Sequence, residues 1–403
     1  MIQYAQDLSW GSILTHLGLF LAATLFLVSV RQRYLSPISH IPGPFLASFS
    51  RLWHLCQIWS GKQNLRLIEQ HDRHGESSHI RSHFVRMAHN EVSVSHPGAV
   101  KALLLTTLPK GQWYAIVAFP DYMFYTPFSL LDSKDKNECS NRSRPAMDAS
   151  MRKLFGWMNK FASEQRPMNL DEFFTFVAFD ITGEAVFSKP FGFLDKGEDV
   201  NHSIAMNLAA VARIADEIAE AQKQGRCQDG IVSYEDATQL LYLQAAIKEG
   251  LRMFAPITMG LPRVAPKRGV TIGDTFFPEG VTLNVSPSII HTSKEIWGPD
   301  AREFNPERWS ATDIASREKC FIPWGVGYAA CPGQHIARMQ LSKITATIVR
   351  DYEVRQVVPG AEWKWLAWFT AVPHSWPVYI TKRGRPVRHA RICGCPSLSM
   401  WVP

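Results

Sequence analysis

The seven cysteines of this 403-residue chain show no framework spacing. That excludes a small disulfide-stapled secreted scaffold and fits a body facing a reducing compartment. Charge of one sign is also in short supply. Lys and Arg exceed Asp and Glu by only 43 to 36, a net +7, too small and too dispersed for a nucleic-acid footprint, so no nucleic-acid partner is expected. The N-terminus lacks the basic start of a cleaved signal peptide. The interval between Leu194 and Glu249 contains a single threonine, Thr238.

What the chain does have begins with an apolar run. Gly11 to Val30 is twenty positions with no formal charge beyond what His16 contributes, enough to cross a hydrocarbon core of ~30 Å. Arg31 and Arg33 follow it and Asp7 precedes it, which points to a single-pass anchor with the body on the cytoplasmic side. Pro37 and His40-Ile41-Pro42-Gly43-Pro44 then make a stiff, non-helical link. The rest, 46% hydrophobic over the whole chain with 13 Trp and 23 Phe, is long enough for one large domain or two. Lys134, Lys136, Arg142, Arg144, Arg152 and Lys153 gather in one stretch, and Lys382, Arg383, Arg385, Arg388 and Arg391 in another. Either is a solvated face, or a surface for an acidic redox partner or anionic lipid.

The stretch Phe321 to Ala337 is the focus. Gly325 and Gly327 let the backbone bend tightly, and Gly333 is expected to take a φ that a Cβ resists, turning the chain into a helix over Gln334 to Val349. Loop amides and the helix N-terminus would both favour a thiolate at Cys331. Alternatives are an inert buried cysteine, or a zinc site from Cys320, His335, Cys393 and Cys395, whose spacing matches no common zinc pattern.

These residues resemble the cytochromes P-450, the haem-thiolate monooxygenases. Their signature sets an aromatic, a Gly, an Arg, the ligating Cys and a second Gly at fixed spacing. Trp324, Gly327, Ala329, Cys331 and Gly333 occupy those places here, with Ala329 departing from the Arg that contacts a haem propionate. Further motifs follow the same order. Glu249-Gly250-Leu251-Arg252 is the chain's only Glu-x-x-Arg, and Phe304-Asn305-Pro306-Glu307-Arg308-Trp309 supplies the Arg that joins it, so Glu249, Arg252 and Arg308 are expected as a buried triad. Arg263 and Arg144 match basic residues that reach propionates. Ile257 to Leu261 and Phe369 to Val372 would line the pocket.

The resemblance implies a mainly α fold with small β-sheets, an anchor over residues 1–36 and a haem domain over 37–403. It also implies iron protoporphyrin IX, electrons from NADPH through a partner reductase, an apolar small-molecule substrate, and the endoplasmic reticulum membrane. Trp376-Pro377-Val378-Tyr379, Phe276-Phe277-Pro278 and the region Phe173 to Phe187 with Phe191 to Leu194 resemble fungal members of secondary metabolism.

The resemblance fails between residues 195 and 234. The family has there two roofing helices and a long helix that carries an acid and a Thr for delivering protons to dioxygen. Only 54 positions separate Leu194 from Glu249. They read as helices over Val200 to Ile214 and Ala215 to Gln224, the second closed by Gly225, and a helix start at Ser233 to Asp236. Thr238 is misplaced, so no acid–Thr pair is expected and no catalytic residue is assigned there. Alternatives to a working monooxygenase are a catalytically impaired haem-binding remnant, or an anchored protein that never loads haem. Elsewhere the expectations are a helix over Asn64 to Arg73, strand content from Ser82 to Val94, a helix over Ala99 to Leu105, and a short β-region from Val270 to Val285.

Overall fold

A computed structural model of the chain describes residues 10–76, 83–106, 108–110, 133–187, 208–327, 330, 331, 333–358, 364–367, 371–374 and 376–383. The N-terminal helix α1 (Trp10–Tyr34) contains a span, Leu14–Tyr34, long and apolar enough to cross a membrane, none of it buried against the body. A 3-10 turn, Phe45–Ser48, leads to α2 (Leu52–Trp59) and α3 (Gln63–Glu76). The hairpin β1 (Phe84–Ala88) and β2 (Glu91–Val94) follows, and then the expected helix over Ala99 to Leu105 winds as a π-helix, Val100–Leu104.

The expected basic stretch lies along one long helix, α4 (Ser133–Glu164). The short strand β3 (Met168–Asn169) leads from it to α5 (Leu170–Phe187). The two helices expected around Ile214 and Ala215 are one continuous helix in the described residues, α6 (Leu208–Lys223). Ile214, Ile218 and Ala221 are all buried on it, so a single apolar stripe runs through the presumed break. It does end at Gly225, whose φ is 84°. The side chain of Ser233 accepts the amide of Asp236 to start α7 (Tyr234–Thr238), as its sequence suggests. Helix α8 (Leu241–Met253) begins at Leu240, which has no cap of its own. Glu217 on α6 supplies one, its carboxylate accepting the amides of Tyr242 and Leu243 at 2.9 and 3.0 Å.

The strand β4 (Leu261–Val264) was not expected; the β-region after it forms as expected, with the hairpin β5 (Val270–Ile272) and β6 (Thr275–Phe277) and then β7 (Thr282–Val285). Two short helices, α9 (Pro287–His291) and α10 (Lys294–Trp297), precede the 3-10 turn Pro306–Ser310 and a further short helix, α11 (Ile314–Arg317). The chain then enters α12 (Gln334–Asp351) and finishes in β8 (Tyr352–Gln356), β9 (Lys364–Ala367), β10 (Ala371–His374) and β11 (Pro377–Lys382). The main sheet is four-stranded, β1-β2-β7-β4, with β2 and β7 parallel, so chain segments nearly two hundred residues apart close one sheet. Two smaller pairs, β5-β6 and β9-β10, and a three-stranded sheet, β3-β11-β8, complete the strands.

Helix α12 is apolar on two sides. Met339 and Ile348 face the α4–α5 core, whereas Ala346 and Val349 face the α6–α8 core. A helix buried from two sides carries little amphipathic signal, and this one holds the two helical cores together. A separate core, built on the main sheet and the π-helix, includes Cys320 and Ile322 just before the Cys331 loop.

Candidate functional site

The Cys331 loop is shaped by two left-handed glycines, Gly325 at φ 67° and Gly327 at φ 59°. A Cβ on Gly327 would stand 3.0 Å from the carbonyl oxygen of Leu104, so the loop is pressed against the π-helix. Within the loop Gly325 donates to Ile322 O at 3.1 Å, Ala330 to Gly327 O at 3.1 Å, and Cys331 to Trp324 O at 2.7 Å. Gly333 does not take the expected special conformation: its φ is −79° and ψ 1°. The reversal is already complete at Gly325 and Gly327, so α12 can start at Gln334 from an ordinary backbone. Tyr328, Ala329 and Pro332 lie outside the described residues, and with them the departure at Ala329.

The two cysteines of this region sit in contrasting surroundings. Cys320 is buried with its sulfur 3.8 Å from the carbonyl of Pro97, and burial pushes its thiol pKa up. Cys331 is half-buried, three residues ahead of Gln334, the first residue of α12.

Behind the loop stands the expected triad. Glu249, Arg252 and Arg308 are brought together with almost no exposure. Arg252 grips Glu249 through two bonds of 2.9 Å, Nε to Oε2 and Nη2 to Oε1, and Arg308 Nε reaches Oε1 at 2.9 Å. The amide of Asn305 and the indole of Trp309 add donors at 3.0 Å each. Burial pushes the Glu249 carboxyl up, but the Arg252 bond and charge, the Asn305 amide and Arg308 outweigh it and hold the pKa below the ordinary value. Arg308 also reaches Asp300 Oδ2 at 2.9 Å.

His291 couples this node to the loop, and nothing in the local sequence pattern singled it out. Its Nε2 lies 2.9 Å from the amide of Ile322 and its Nδ1 3.1 Å from the carbonyl of Arg252. The amide can only donate, so Nε2 accepts and the proton sits on Nδ1, donated to Arg252 O. Burial, and then the Arg252 cation, lower the His291 pKa to about 3, which keeps the ring neutral. Asn305 and Trp309 were legible inside the motif that carries Arg308. Asp300 was not.

Arg263 is fully buried on β4, its Nη1 donating to the carbonyl of Pro262 at 3.0 Å. It bridges to Lys110, whose pKa is lowered by burial and then by the Arg263 cation. Arg144 lies within α4, but its side chain is outside the described residues. Of the expected pocket lining, Thr258 and Met259 are tied to β7 by Ser286 and Asn284, while the side chains of Phe369 to Val372 are not described. Thr238 is exposed, its hydroxyl spent on Glu235 O at 2.8 Å. No group of three or more His, Cys, Asp or Glu among the described residues could hold a metal ion, and Cys393 and Cys395 lie outside them.

A haem needs one soft donor for iron and cations for its two carboxylates. The residues present fit it. Cys331 offers a half-buried sulfur. Trp324, in the same loop, has a buried indole N–H with no acceptor among the described residues, and Arg263 on β4, bridged to Lys110, concentrates positive charge.

Comparison with known proteins agrees. The family model for cytochrome P450 matches residues 202–368. Over those residues the chain carries a cytochrome P450 domain. Its mainly helical fold with small sheets is the P450 fold, and the family's monooxygenases are oxidoreductases that use haem iron. Cytochrome P450 monooxygenase asR2 of Sarocladium schorii is 24% identical over 489 residues, covering 86% of this chain and 92% of that protein. Benzoate 4-monooxygenase bphA of Aspergillus niger is 25% identical over 498 residues, covering 85% and 93%. Cytochrome P450 monooxygenase sdnT of Sordaria araneosa is 38% identical over 126 residues, 30% of this chain and 23% of its own length. The first two alignments are longer than this chain itself, so those relatives carry many positions with no counterpart here.

Proposed function

We propose that this chain is a haem-thiolate monooxygenase of fungal secondary metabolism that oxidises an apolar small molecule, with Cys331 as the iron ligand. Residues 1–36 are its membrane anchor and 37–403 its catalytic body, in the endoplasmic reticulum with the body cytoplasmic, and electrons come from NADPH through a partner reductase. The observation that carries the reading is the suspension of the Cys331 loop from the Glu249 node through His291. Bound haem supplies the activation of dioxygen. The chain's own residues do the rest: Cys331 presents the sulfur, the turn at Gly325 and Gly327 fixes its position, and Arg263 with Lys110 meets the carboxylates. Expressed protein should show the red-shifted Soret band of a thiolate-ligated ferrous carbonyl. That band should vanish in Cys331→Ser and persist in Cys320→Ser; equal behaviour of the two variants overturns the assignment.

A second reading, that the chain is catalytically impaired, is favoured by the short interval. α8 is reached from Leu194 with only α6 and α7 described between, and the sole threonine there points to solvent. Proton delivery needs groups within hydrogen-bond reach in a site closed to bulk water. The ratio of product formed to NADPH consumed should therefore be low, with hydrogen peroxide taking most of the reductant. Tight coupling would show that another segment supplies the proton path.

A further inference from the structure

A cleft of about 620 Å³ opens between α4, α12 and the connection from α6 to α7. That volume is in the range of ligand-binding pockets. Lys343 on α12 is buried and ion-paired to Asp148 on α4, so two walls of the cleft are joined at one point. Phe155, Ile231 and Met339 give it apolar surface. Two glycines keep it open: a Cβ on Gly156, within α4, or on Gly230 would meet nothing within 4 Å. A glycine inside a helix is destabilising relative to alanine, so α4 gives up stability at a position that lines empty space.

The last described residue, Arg383, lies at the rim of this cleft. Just after β11 its amide donates to Asp351 O at 2.8 Å and its Nε to Tyr352 O at 3.0 Å. The Tyr352 ring stacks on Phe155 with centroids 6.1 Å apart, and its hydroxyl donates to Asn159 Oδ1 at 3.1 Å; Phe155 and Asn159 both line the cleft. Beside Asp351, Arg350 donates to the carbonyls of Asp229 and Gly230 at 2.8 and 3.0 Å. Residues 384–403 follow in the sequence, with Arg385, Arg388 and Arg391 and no Asp or Glu. In the cleft the balance is the reverse. With Asp148 taken by Lys343, the acids Asp229 and Glu235 remain against Arg152. Both acids are exposed, and the Asp229 carboxylate has no ion pair among the described residues.

We propose that this cleft is the docking site of the chain's own C-terminal segment, residues 385–392, with its arginines on Asp229 and Glu235 and with Val387 and Ile392 on the apolar surface. The reach is sufficient. The five residues from Arg383 to Arg388 extend up to ~17 Å, and the whole α4 wall from Asp148 to Asn159 is about 16 Å long. A segment tethered at the rim has a high effective concentration there, which makes the tail of a second copy the poorer occupant. Docked, it joins α4 to the α6–α7 connection and ties the chain to the helix that follows the Cys331 loop.

The full chain in detergent is digested with trypsin, and cleavage after Arg388 and Arg391 is timed by mass spectrometry against a synthetic peptide of residues 384–403 at the same salt. At low salt both bonds should be cut severalfold more slowly in the chain than in the peptide, and high salt should bring the two rates together. In Gly156→Trp, whose ring would fill the cleft, and in Asp229→Lys, each compared where its thermal midpoint matches that of the unaltered chain, cleavage should approach the peptide rate. Glu279→Lys, on the turn between β6 and β7, should keep the protection. Peptide-like rates in the unaltered chain overturn the docking, and that comparison needs no variant to fold. Protection kept in either cleft variant overturns the cleft as its place. Protection that grows with protein concentration assigns the segment to a second copy and overturns docking within one chain.

Discussion

Arg252 and Arg308 are buried against a carboxylate, whereas Arg86 is buried against carbonyl oxygens. In the Glu249 node burial lowers the Arg308 pKa, but its bonds to Glu249 and Asp300 outweigh that and raise it above the ordinary value. At Arg86 burial and then the Arg33 cation lower it, and its side chain donates to backbone oxygens. The first arrangement fixes two elements through a matched charge, at the risk that losing one partner strands the other. The second gathers chain ends whose carbonyls would otherwise lack donors. It uses the fork of donors that only arginine offers.

The difference predicts unequal costs. Arg308→Met leaves Glu249 buried with its main charge partners reduced to Arg252, a loss of roughly 3 to 5 kcal/mol, which is a large part of the whole stability of an ordinary domain. The variant should fail to accumulate as folded, haem-loaded protein. Arg86→Met removes donors but strands no charge, so roughly 1 to 3 kcal/mol is expected, with haem content kept at low temperature. Denaturant midpoints and haem-to-protein ratios check both, and an Arg86 variant as damaged as the Arg308 variant would erase the distinction.

Acid sharpens the same contrast, because each region also contains a histidine held neutral, buried at His291 and half-buried at His71. His291 sits beside the Glu249 node. His71, on α3, is 2.9 Å from Ser93 on β2. Both have pKa values lowered to about 3, His71 by burial and then by His83 and His74. Unfolded, each titrates near its ordinary 6.5, so between those values the unfolded chain binds more protons and stability falls as pH falls. Stability should be level above pH ~6.5 and decline steadily toward pH ~3, with a loss of a few kcal/mol for each histidine. Glu249, whose pKa is lowered, adds to the decline as the pH falls below its ordinary 4.5 toward its lower folded value. In His291→Gln the slope of midpoint against pH should become shallower, even though the variant is less stable at neutral pH. An unchanged slope would remove His291 from this account.

How much of this was legible follows from the type of partner. Glu249, Arg252 and Arg308 were readable because the Glu-x-x-Arg spacing and the Arg308 motif resemble those of the cytochromes P-450, and Trp309 and Asn305 travel in the same motif. Arg86 was not, since its acceptors are backbone oxygens from Gln32 to His89 and leave no mark in residue types. His291 was invisible for a related reason: one of its bonds is to an amide and the other to a carbonyl, neither of which a sequence encodes. The single helix α6 was split because polar residues such as Asp216 and Glu217 interrupt its apolar count, yet Glu217 is there to cap α8. Helix α2 was missed in a different way. Its apolar face points outward, against the assumption on which periodicity is read.

The smallest effects test the seam where the two regions meet, at the Cys331 loop. Gly327 belongs to the loop, and the carbonyl it approaches, Leu104 O, belongs to the π-helix of the sheet core. Gly327→Ala has two penalties, a left-handed backbone at φ 59° and a Cβ contact of 3.0 Å with a backbone atom that cannot swing aside. Together they should cost roughly 1 to 3 kcal/mol and, by shifting the loop, move the Soret band of the ferrous carbonyl. Gly333→Ala has neither penalty. Its φ is −79° and the atom nearest its new Cβ is Cys331 Sγ at 3.9 Å, an ordinary contact. The unfolded chain loses some freedom in that variant, so the change should lie between neutral and a gain of about 0.4 to 1 kcal/mol. Gly333, the signature position expected to need glycine, should thus tolerate alanine, while Gly327, six residues earlier in the turn, should not. Paired thermal midpoints and carbonyl spectra decide it: if Gly333→Ala loses the thiolate band and Gly327→Ala keeps it, the turn is made at Gly333 after all.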